Sequence, residues 1–387
     1  MPALRYGMVG GGPGAFIGDV HRMAAELDGG AALVAGAFSS DPSASRDKGA
    51  ALGLAPDRVY GDYRAMAEAE VARSDPIDFV VVVTPNHLHF PVARTFLEAG
   101  VPVVCDKPMT TTVEDAETLC RLVAEGGPLF ALTYNYTGYP MVDEARAIVR
   151  SGRLGRIRRI QLDYFQGWLA TSLESTGHRQ AGWRTDPERA GVAGALGDIG
   201  THAHDLARYV TGLEVEEVAA DLTTFVDGRR LEDDACVLVR WTGGARGTLT
   251  ASQIAVGEEN ELVLRVYGTH GSIVWRHADA ESLRVSTADG PAEILRRGAP
   301  YLDVETQGGS RLPPGHPEGF IEGFANVYRA VIEAIRGPDA DGGETTRRFP
   351  TVWDGARGVH FLEKAVESAR VGGWVDARYD PPGDPGA

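Results

Sequence analysis

Lysine is nearly missing from this chain: Lys48, Lys107 and Lys364 are the only ones among 38 basic residues, the rest being arginine. A lysine kept in so arginine-rich a background draws attention to its compact, deprotonatable ammonium. Cysteine is equally scarce. Cys105, Cys120 and Cys236 are widely spaced and odd in number, which excludes a disulfide framework and a cysteine-rich zinc site and leaves buried thiols as the expectation. Basic residues as a whole are outnumbered, 38 against 54 acidic ones, for a formal net charge of -16. That field repels phosphate backbones and anionic membranes, so neither nucleic acid nor a membrane surface is an expected partner. No apolar run approaches the roughly 18 residues of a membrane span. The opening Met1-Pro2-Ala3-Leu4-Arg5 has no charged stretch leading into an apolar core, so a cytoplasmic protein is expected.

What is present points to two domains, since 387 residues exceed what one hydrophobic core usually supports. Apolar runs at 4–9, 31–38, 79–83 and 101–105 each end in turn residues, and helical spacing separates them, as at 18–27, 92–99 and 113–124. Near-continuous apolar strands alternating with helices imply a parallel, doubly wound sheet covered on both faces, a Rossmann domain over 1–130. After residue 130 the rhythm changes. A helix at 141–151, a long strand at 157–165 and a helix at 201–210 lead into closely spaced strands over 215–294, including 235–241, 247–254, 262–267 and 272–276. Strands without intervening helices argue a mainly antiparallel sheet. Helices return at 320–335 and 352–370, so 131–387 is expected to form an α+β substrate-binding and oligomerisation domain.

The first strand runs into Gly10-Gly11-Gly12-Pro13-Gly14-Ala15, which satisfies G-x-G-x-x-G/A. Glycines there let the backbone approach a pyrophosphate at a helix N-terminus. A Gly-rich hairpin is the plain alternative, and Ala15-Phe16-Ile17-Gly18 reads as an insertion before the helix. No G-K-S/T follows, so no nucleoside triphosphate site is expected. Ser39 and Ser40 end the second strand, with Asp41 and Arg46 close by. Asp41 favours NAD, two hydroxyls and an arginine suit the 2'-phosphate of NADP, and a helix-capping role for Asp41 or Ser40 is compatible with either. Thr84, Asn86 and Lys107 follow successive strands at the carboxyl edge, where open α/β sheets bind ligands. A lysine so placed can hydrogen-bond a substrate hydroxyl and lower its pKa, against the plain reading of a surface lysine before a turn proline.

The densest polar cluster is Gly197-Asp198-Ile199-Gly200-Thr201-His202-Ala203-His204-Asp205. In a helix starting near Asp198, that residue, His202 and Asp205 share one face at i, i+4 and i+7, while His204 points elsewhere. An imidazole between two carboxylates has a raised pKa and a fixed tautomer, as a general base near neutral pH requires. An N-cap aspartate with an ordinary helix histidine is the plain alternative. Metal ligation by Asp198, His202 and His204 is weaker because the two histidines diverge, and no metal is expected. Tyr164, Gln166 and Trp168, with His178, Trp183 and Arg184 beyond, are candidates for a sugar pocket, as are Tyr134, Asn135, Tyr136 and Tyr139. Acidic clusters at Glu232-Asp233-Asp234 and Glu258-Glu259 suit a cationic aminosugar, although a solvated loop is the simpler expectation.

Taken together these residues resemble the Gfo/Idh/MocA oxidoreductase family, which includes glucose-fructose oxidoreductase and inositol dehydrogenases. The resemblance spans nearly the whole chain: the glycine motif, Thr84-Pro85-Asn86-His87-Leu88-His89, Asp106-Lys107-Pro108 where the family has E-K-P, and Asp198 to Asp205 as its D-x-G-x-H-x-x-D. It implies NAD, or NADP, held by Gly10, Gly12, Pro13, Gly14, Ala15, Phe16, Ile17, Ser39, Ser40, Arg46, Thr84, Pro85, Asn86, His89, Asp106 and Lys107. It implies that Lys107 assists substrate binding and proton movement, that His202 is the acid/base and that Asp198 orients the substrate or His202. It further implies an open sheet that packs in homodimers or homotetramers. Asp106 in place of glutamate and the longer glycine turn depart from the family pattern. The expected reaction is oxidation or reduction of a secondary ring hydroxyl on a sugar, aminosugar, glycoside or cyclitol. A non-catalytic dinucleotide and sugar sensor, and a metal-dependent sugar hydrolase or isomerase, are the alternatives.

Overall fold

The computed structural model describes residues 1–337 and 349–386. Two compact units divide the chain: Met1–Asn135 with Phe324–Ala356 and Pro381–Ala387, and Tyr136–Gly323 with Arg357–Asp380.

The first unit is built from β1 (Leu4–Gly10), α1 (Phe16–Glu26), β2 (Ala31–Ala37), α2 (Pro42–Ala51), α3 (Tyr63–Val71), β3 (Phe79–Val83), α4 (His89–Glu98), β4 (Val103–Cys105), α5 (Val113–Ala124) and β5 (Phe130–Leu132). Its five strands are all parallel, in the order β2-β1-β3-β4-β5. Every side chain of β3, Phe-Val-Val-Val-Val, is buried, as a strand covered on both faces demands. α1 starts at Phe16, so Ala15 to Gly18 is not an insertion: Gly18 lies in the first turn, where an added Cβ would stand 2.6 Å from Gly11 Cα. β5 is three residues long, too short to carry a period, and is absent from the expected strands.

In the second unit α6 (Pro140–Arg150), β6 (Ile157–Phe165), α7 (Arg179–Arg184), α8 (Pro187–Ala190) and α9 (Thr201–Thr211) precede β7 (Val215–Thr223), β8 (Asp234–Trp241), β9 (Arg246–Ser252), β10 (Glu261–Gly268), β11 (Gly271–Arg276), β12 (Ser282–Thr287) and β13 (Glu293–Arg296). After α10 (Val304–Gln307), α11 (Phe320–Arg336) and α12 (Val352–Val371), β14 (Val375–Asp376) completes a nine-stranded sheet, β13-β12-β11-β10-β6-β9-β8-β7-β14. All neighbours are antiparallel except β6 and β9. β8 shows how alternation builds the core: Ala235, Val237, Val239 and Trp241 are buried, whereas Leu238 is 45% exposed. Residues of α6, α9 and α12 join that buried face, with Leu162, Leu249 and Leu264 from the central strands. The opposite face carries the Arg265 to Asp163 ion pair and Cys236, which is exposed, unlike the buried Cys105 and Cys120.

The C-terminal stretches return to the first unit. Thr351 bridges to Ala131, Leu132 N–H donates to the Pro350 carbonyl, and Trp353 Nε1 donates to the Pro382 carbonyl. Where the sequence suggests a single crossing at 130/131, the chain passes from the first unit after Asn135 and comes back because these stretches bury apolar faces such as Phe324 and Tyr328 there. Among the described residues no helix is long and apolar enough to cross a membrane.

Candidate active site

In the first unit the carboxyl edge of the parallel sheet is shaped by close backbone packing. A Cβ on Gly10 would stand 2.6 Å from the Val83 carbonyl oxygen at the end of β3, and one on Gly12 would stand 2.6 Å from the Phe38 carbonyl oxygen after β2. Gly10, Gly11 and Gly14 also take positive φ. The turn therefore presents bare backbone, with Pro13 and Gly14 exposed and Ala15 at the N-cap of α1 making no side-chain cap. Phe16 is 67% exposed, and Ile17 follows it in the first turn. Amide groups at such a helix end, with the positive end of the helix dipole, suit an anion. Thr84 adds a buried Oγ1 with no hydrogen-bond partner after β3. A pyrophosphate-bearing dinucleotide fits this cradle.

At the end of β2 the capping reading holds for Asp41, whose carboxylate accepts the Ser43 amide at 2.8 Å. Ser39 Oγ accepts the Asp41 amide, Ser40 is exposed, and Arg46 is exposed on α2.

Lys107 follows β4 and is joined to Pro108 by a cis peptide bond. Its backbone is held from several sides. Asp106 Oδ1 accepts the Lys107 amide at 2.9 Å and the Thr133 hydroxyl at 3.1 Å, and the Asp106 amide donates to Val82 O. His89 is only 1% exposed, with Nδ1 2.7 Å from the Pro108 carbonyl and Nε2 2.9 Å from the Thr84 carbonyl. Burial holds its pKa below the ordinary value, against the pull of Asp106. His89 and Asp106, both expected at the cofactor, turn polar atoms to the backbone and side chains that shape the lysine loop. Pro85 is half-buried and Asn86 is buried between β3 and α4.

In the second unit the polar cluster lies at the ends of β6, β9 and β10. Tyr136, Tyr164 and Asn260 form a closed circuit: Asn260 Nδ2 donates to Tyr136 Oη (3.2 Å), Tyr136 to Tyr164 Oη (2.5 Å), and Tyr164 to Asn260 Oδ1 (2.8 Å). Burial raises both tyrosine pKa values, keeping the hydroxyls protonated. Gln166 Nε2 donates to Asn260 Oδ1 at 2.7 Å, while its Oε1 accepts from Trp168 Nε1 at 3.0 Å and Gln253 Nε2 at 3.4 Å. Gln253 Nε2 also donates to Asp198 Oδ2 at 2.9 Å, which Arg184 Nε pairs at 3.2 Å. The Arg184 guanidinium lies 4.2 Å from the Trp183 ring centre.

Asp198 lies in a five-residue π-helical turn, Leu196–Gly200, that runs directly into α9. The wider turn changes the spacing from which the common face of Asp198, His202 and Asp205 is expected, and the Asp198 carboxylate meets Arg184 and Gln253. His202 is 7% exposed, edge-on to Tyr136 with ring centres 5.1 Å apart. His204 turns away and stacks on Phe361 at 4.4 Å, its pKa pushed well down by burial and by Arg208 and Arg357. Among the described residues no group of three His, Cys, Asp or Glu could hold a metal ion. His178 is exposed and caps α7, its Nδ1 accepting the Ala181 amide.

Tyr136, Tyr164, Gln166, Trp168, Arg184, Asp198 and His202 thus converge, with Trp183 packed on Arg184. Gln253, Asn260 and His277 are the members that sequence reasoning missed. His277 Nδ1 lies 3.1 Å from the Asn260 carbonyl and Nε2 3.2 Å from the Tyr139 hydroxyl, as in a neutral ring, with burial lowering its pKa. Gln253 and Asn260 flank the turn between β9 and β10, where amides are commonplace and nothing marks these two. Glu232 and Asp233 are 7% and 1% exposed and take part in internal hydrogen bonds, correcting the solvated-loop expectation, whereas Glu258 and Glu259 are exposed.

Residues 4–134 match the oxidoreductase family with NAD-binding Rossmann fold, and residues 142–274 match the GFO/IDH/MocA C-terminal domain. The uncharacterized oxidoreductase YfiI of Bacillus subtilis (strain 168) is 34% identical over 96% of each chain. Levoglucosan dehydrogenase of Pseudarthrobacter phenanthrenivorans is 29% identical over 97% of this chain and 98% of its own. The inositol dehydrogenase homolog from Azotobacter vinelandii, crystallised with NADH and myo-inositol, is 36% identical, covers 97% of this chain and 98% of its own, and superposes with a TM-score of 0.90. The chain therefore belongs to the Gfo/Idh/MocA oxidoreductases, with an NAD-binding Rossmann domain at its N-terminal end and the family's C-terminal domain after it.

Proposed function

We propose that this protein is an NAD-dependent dehydrogenase acting on a secondary hydroxyl of a neutral cyclic polyol, either a cyclitol or a sugar ring. The circuit of Tyr136, Tyr164 and Asn260 carries this reading. Each tyrosine donates its proton within the circuit, so its oxygen has only acceptor capacity left, which suits a ligand that donates from hydroxyls. The neighbouring charges Arg184 and Asp198 are paired with each other, leaving little to recruit a phosphate or carboxylate. The buried carboxylates of Glu232 and Asp233 are engaged with backbone amides, which speaks against a cationic aminosugar there. Relatives named for levoglucosan and crystallised with myo-inositol support a polyhydroxylated neutral ring.

When bound at the glycine turn, NAD supplies the hydride acceptor. His202 takes the proton of the reacting hydroxyl, and the Lys107 ammonium stabilises the negative charge that develops on its oxygen. Both groups act on charge that grows toward the transition state, which is where stabilisation raises the rate. Asp198, fixed by Arg184 and Gln253, orients a substrate hydroxyl or His202. Asp41 is engaged in capping α2 and does not decide between NAD and NADP, whereas neighbours crystallised with NAD+ and NADH support NAD. The uncovered face of the nine-stranded sheet, with Leu238 45% and Tyr267 38% exposed, is where a second copy docks; a Leu238→Glu chain that keeps the wild-type mass in light scattering contradicts that docking.

The deciding experiment follows nicotinamide absorbance while inositols, anhydrosugars, pyranosides, aminosugars and sugar phosphates are offered with NAD. Turnover of a neutral ring that is lost in His202→Ala supports the reading. Turnover confined to charged sugars, or undiminished in His202→Ala, contradicts it.

A further inference from the structure

Glu232 stands in the connection between β7 and β8 and has no part in the chemistry above. Its contacts converge on one point. Oε1 accepts the amides of Gly194 at 2.7 Å and Leu196 at 3.0 Å, and its carbonyl oxygen accepts the amide between them, Ala195, at 3.0 Å. Three consecutive amides at the head of the π turn that carries Asp198 thus end on a single residue. Gly194 leaves no slack in this contact, because a Cβ there would stand 2.2 Å from the Glu232 carbonyl oxygen. The next residue extends the hold: the Asp233 carbonyl accepts the Gln253 amide at 2.9 Å, and Gln253 Nε2 is the donor to Asp198 Oδ2. The Glu232-Asp233 dipeptide therefore holds Gln253 through its own amide and Asp198 through the preceding residues, the Asp198 amide donating to the Gly194 carbonyl at 2.8 Å. A carboxylate at the head of a helical segment also meets the positive end of its dipole.

We infer that Glu232 is a positioning residue for the acid/base pair, fixing residues 194–196 so that Asp198 and His202 stand where proton transfer needs them. The inference rests on the reading of His202 as the acid/base group. Burial pushes the Glu232 pKa up to about 7, and the two amides on Oε1 oppose that rise. A plain helix cap and a positioning residue differ in what their loss changes. Loss of a cap lowers stability alone, whereas misplacing a proton-transfer group lowers kcat at unchanged cofactor affinity.

The test compares Glu232→Ala, Glu232→Asp and Glu232→Gln in the full chain, with kcat, KM for the polyol and Kd for NADH measured for each. Glu232→Ala is expected to lower kcat about ten- to hundredfold, the range a small misplacement produces, with the NADH Kd unchanged. Glu232→Gln keeps an acceptor oxygen and restores kcat to within about threefold of wild type, because the amides need an acceptor at Oε1. If Glu232→Ala fails to fold, Glu232→Asp, one methylene shorter, takes its place and should lower kcat in the same direction. Wild-type kcat in the folded Ala or Asp variant, or a Gln variant as impaired as Ala, overturns the inference. His202→Asn run in parallel separates the two levels: wild-type turnover in it refutes the acid/base reading, while its loss beside an unaffected Glu232→Ala refutes only the positioning role.

Discussion

On the function proposed above, the glycine turn after β1 and the polar cluster at the ends of β6, β9 and β10 recognise their ligands by opposite means. The turn works with backbone: Gly10 and Gly12 bring main chain against Val83 and Phe38, and α1 opens without a side-chain cap. The cluster works with side chains, each holding the next from Tyr136 through Asn260, Gln166 and Gln253 to Asp198. A backbone cradle is intolerant of an added methyl and indifferent to most neighbouring side chains, so it suits a ligand shared by many proteins. A side-chain network can be re-lettered one residue at a time, which suits it to the substrate choice proposed for it.

The strongest way to break the comparison is at His202, the proposed acid/base group. His202→Ala should lower kcat about a hundred- to ten-thousandfold, the usual worth of a positioned general base, with NADH Kd unchanged by fluorescence titration. Next in size is Gly12→Ala. Its Cβ would stand 2.6 Å from the Phe38 carbonyl, so the turn must shift, and the Kd for NADH should rise at least about tenfold. Asn260→Ala opens the tyrosine circuit and should raise the polyol KM about tenfold, each hydrogen bond left unmade costing roughly 1–3 kcal/mol, without moving NADH affinity.

The remaining effect is on stability, not on activity, and belongs to the first unit alone. His21 is fully buried, with Nδ1 2.7 Å from the Tyr328 hydroxyl, and burial pushes its pKa down to about 4 from an ordinary 6.5. The folded protein therefore favours the neutral ring. That stabilisation is complete above about pH 6.5 and is lost as pH falls toward 4, by up to about 3 kcal/mol. His21→Gln should flatten the decline of Tm between those values. An unchanged slope would assign the acid sensitivity to other groups.

The same contrast explains what could be read from sequence. The glycine turn is legible because its constraint is local: Gly10 and Gly12 leave no room for a Cβ, and they follow a strand. β3 and β6 are legible because apolar runs and alternation mark them directly. The residues of D-x-G-x-H lie within one helical stretch, and their identities stand out, but the π turn under Asp198 does not, since no local period distinguishes it from an α-helix. Asn260 joins Tyr136 across 124 positions and Glu232 reaches Gly194 across 38, contacts that only the assembled sheet creates. His89 shows the reverse case. Its place beside the cofactor motif is visible in sequence, but its orientation, toward the carbonyls of Thr84 and Pro108, is a property of the folded loop.

The central claim is that the two regions divide recognition, backbone for the dinucleotide and side chains for the polyol. It is tested most directly by measuring NADH Kd and polyol KM in Gly12→Ala and Asn260→Ala side by side. A crossed pattern is predicted, with Gly12→Ala moving the first constant and Asn260→Ala the second. Equal movement of both constants in both variants would contradict the division.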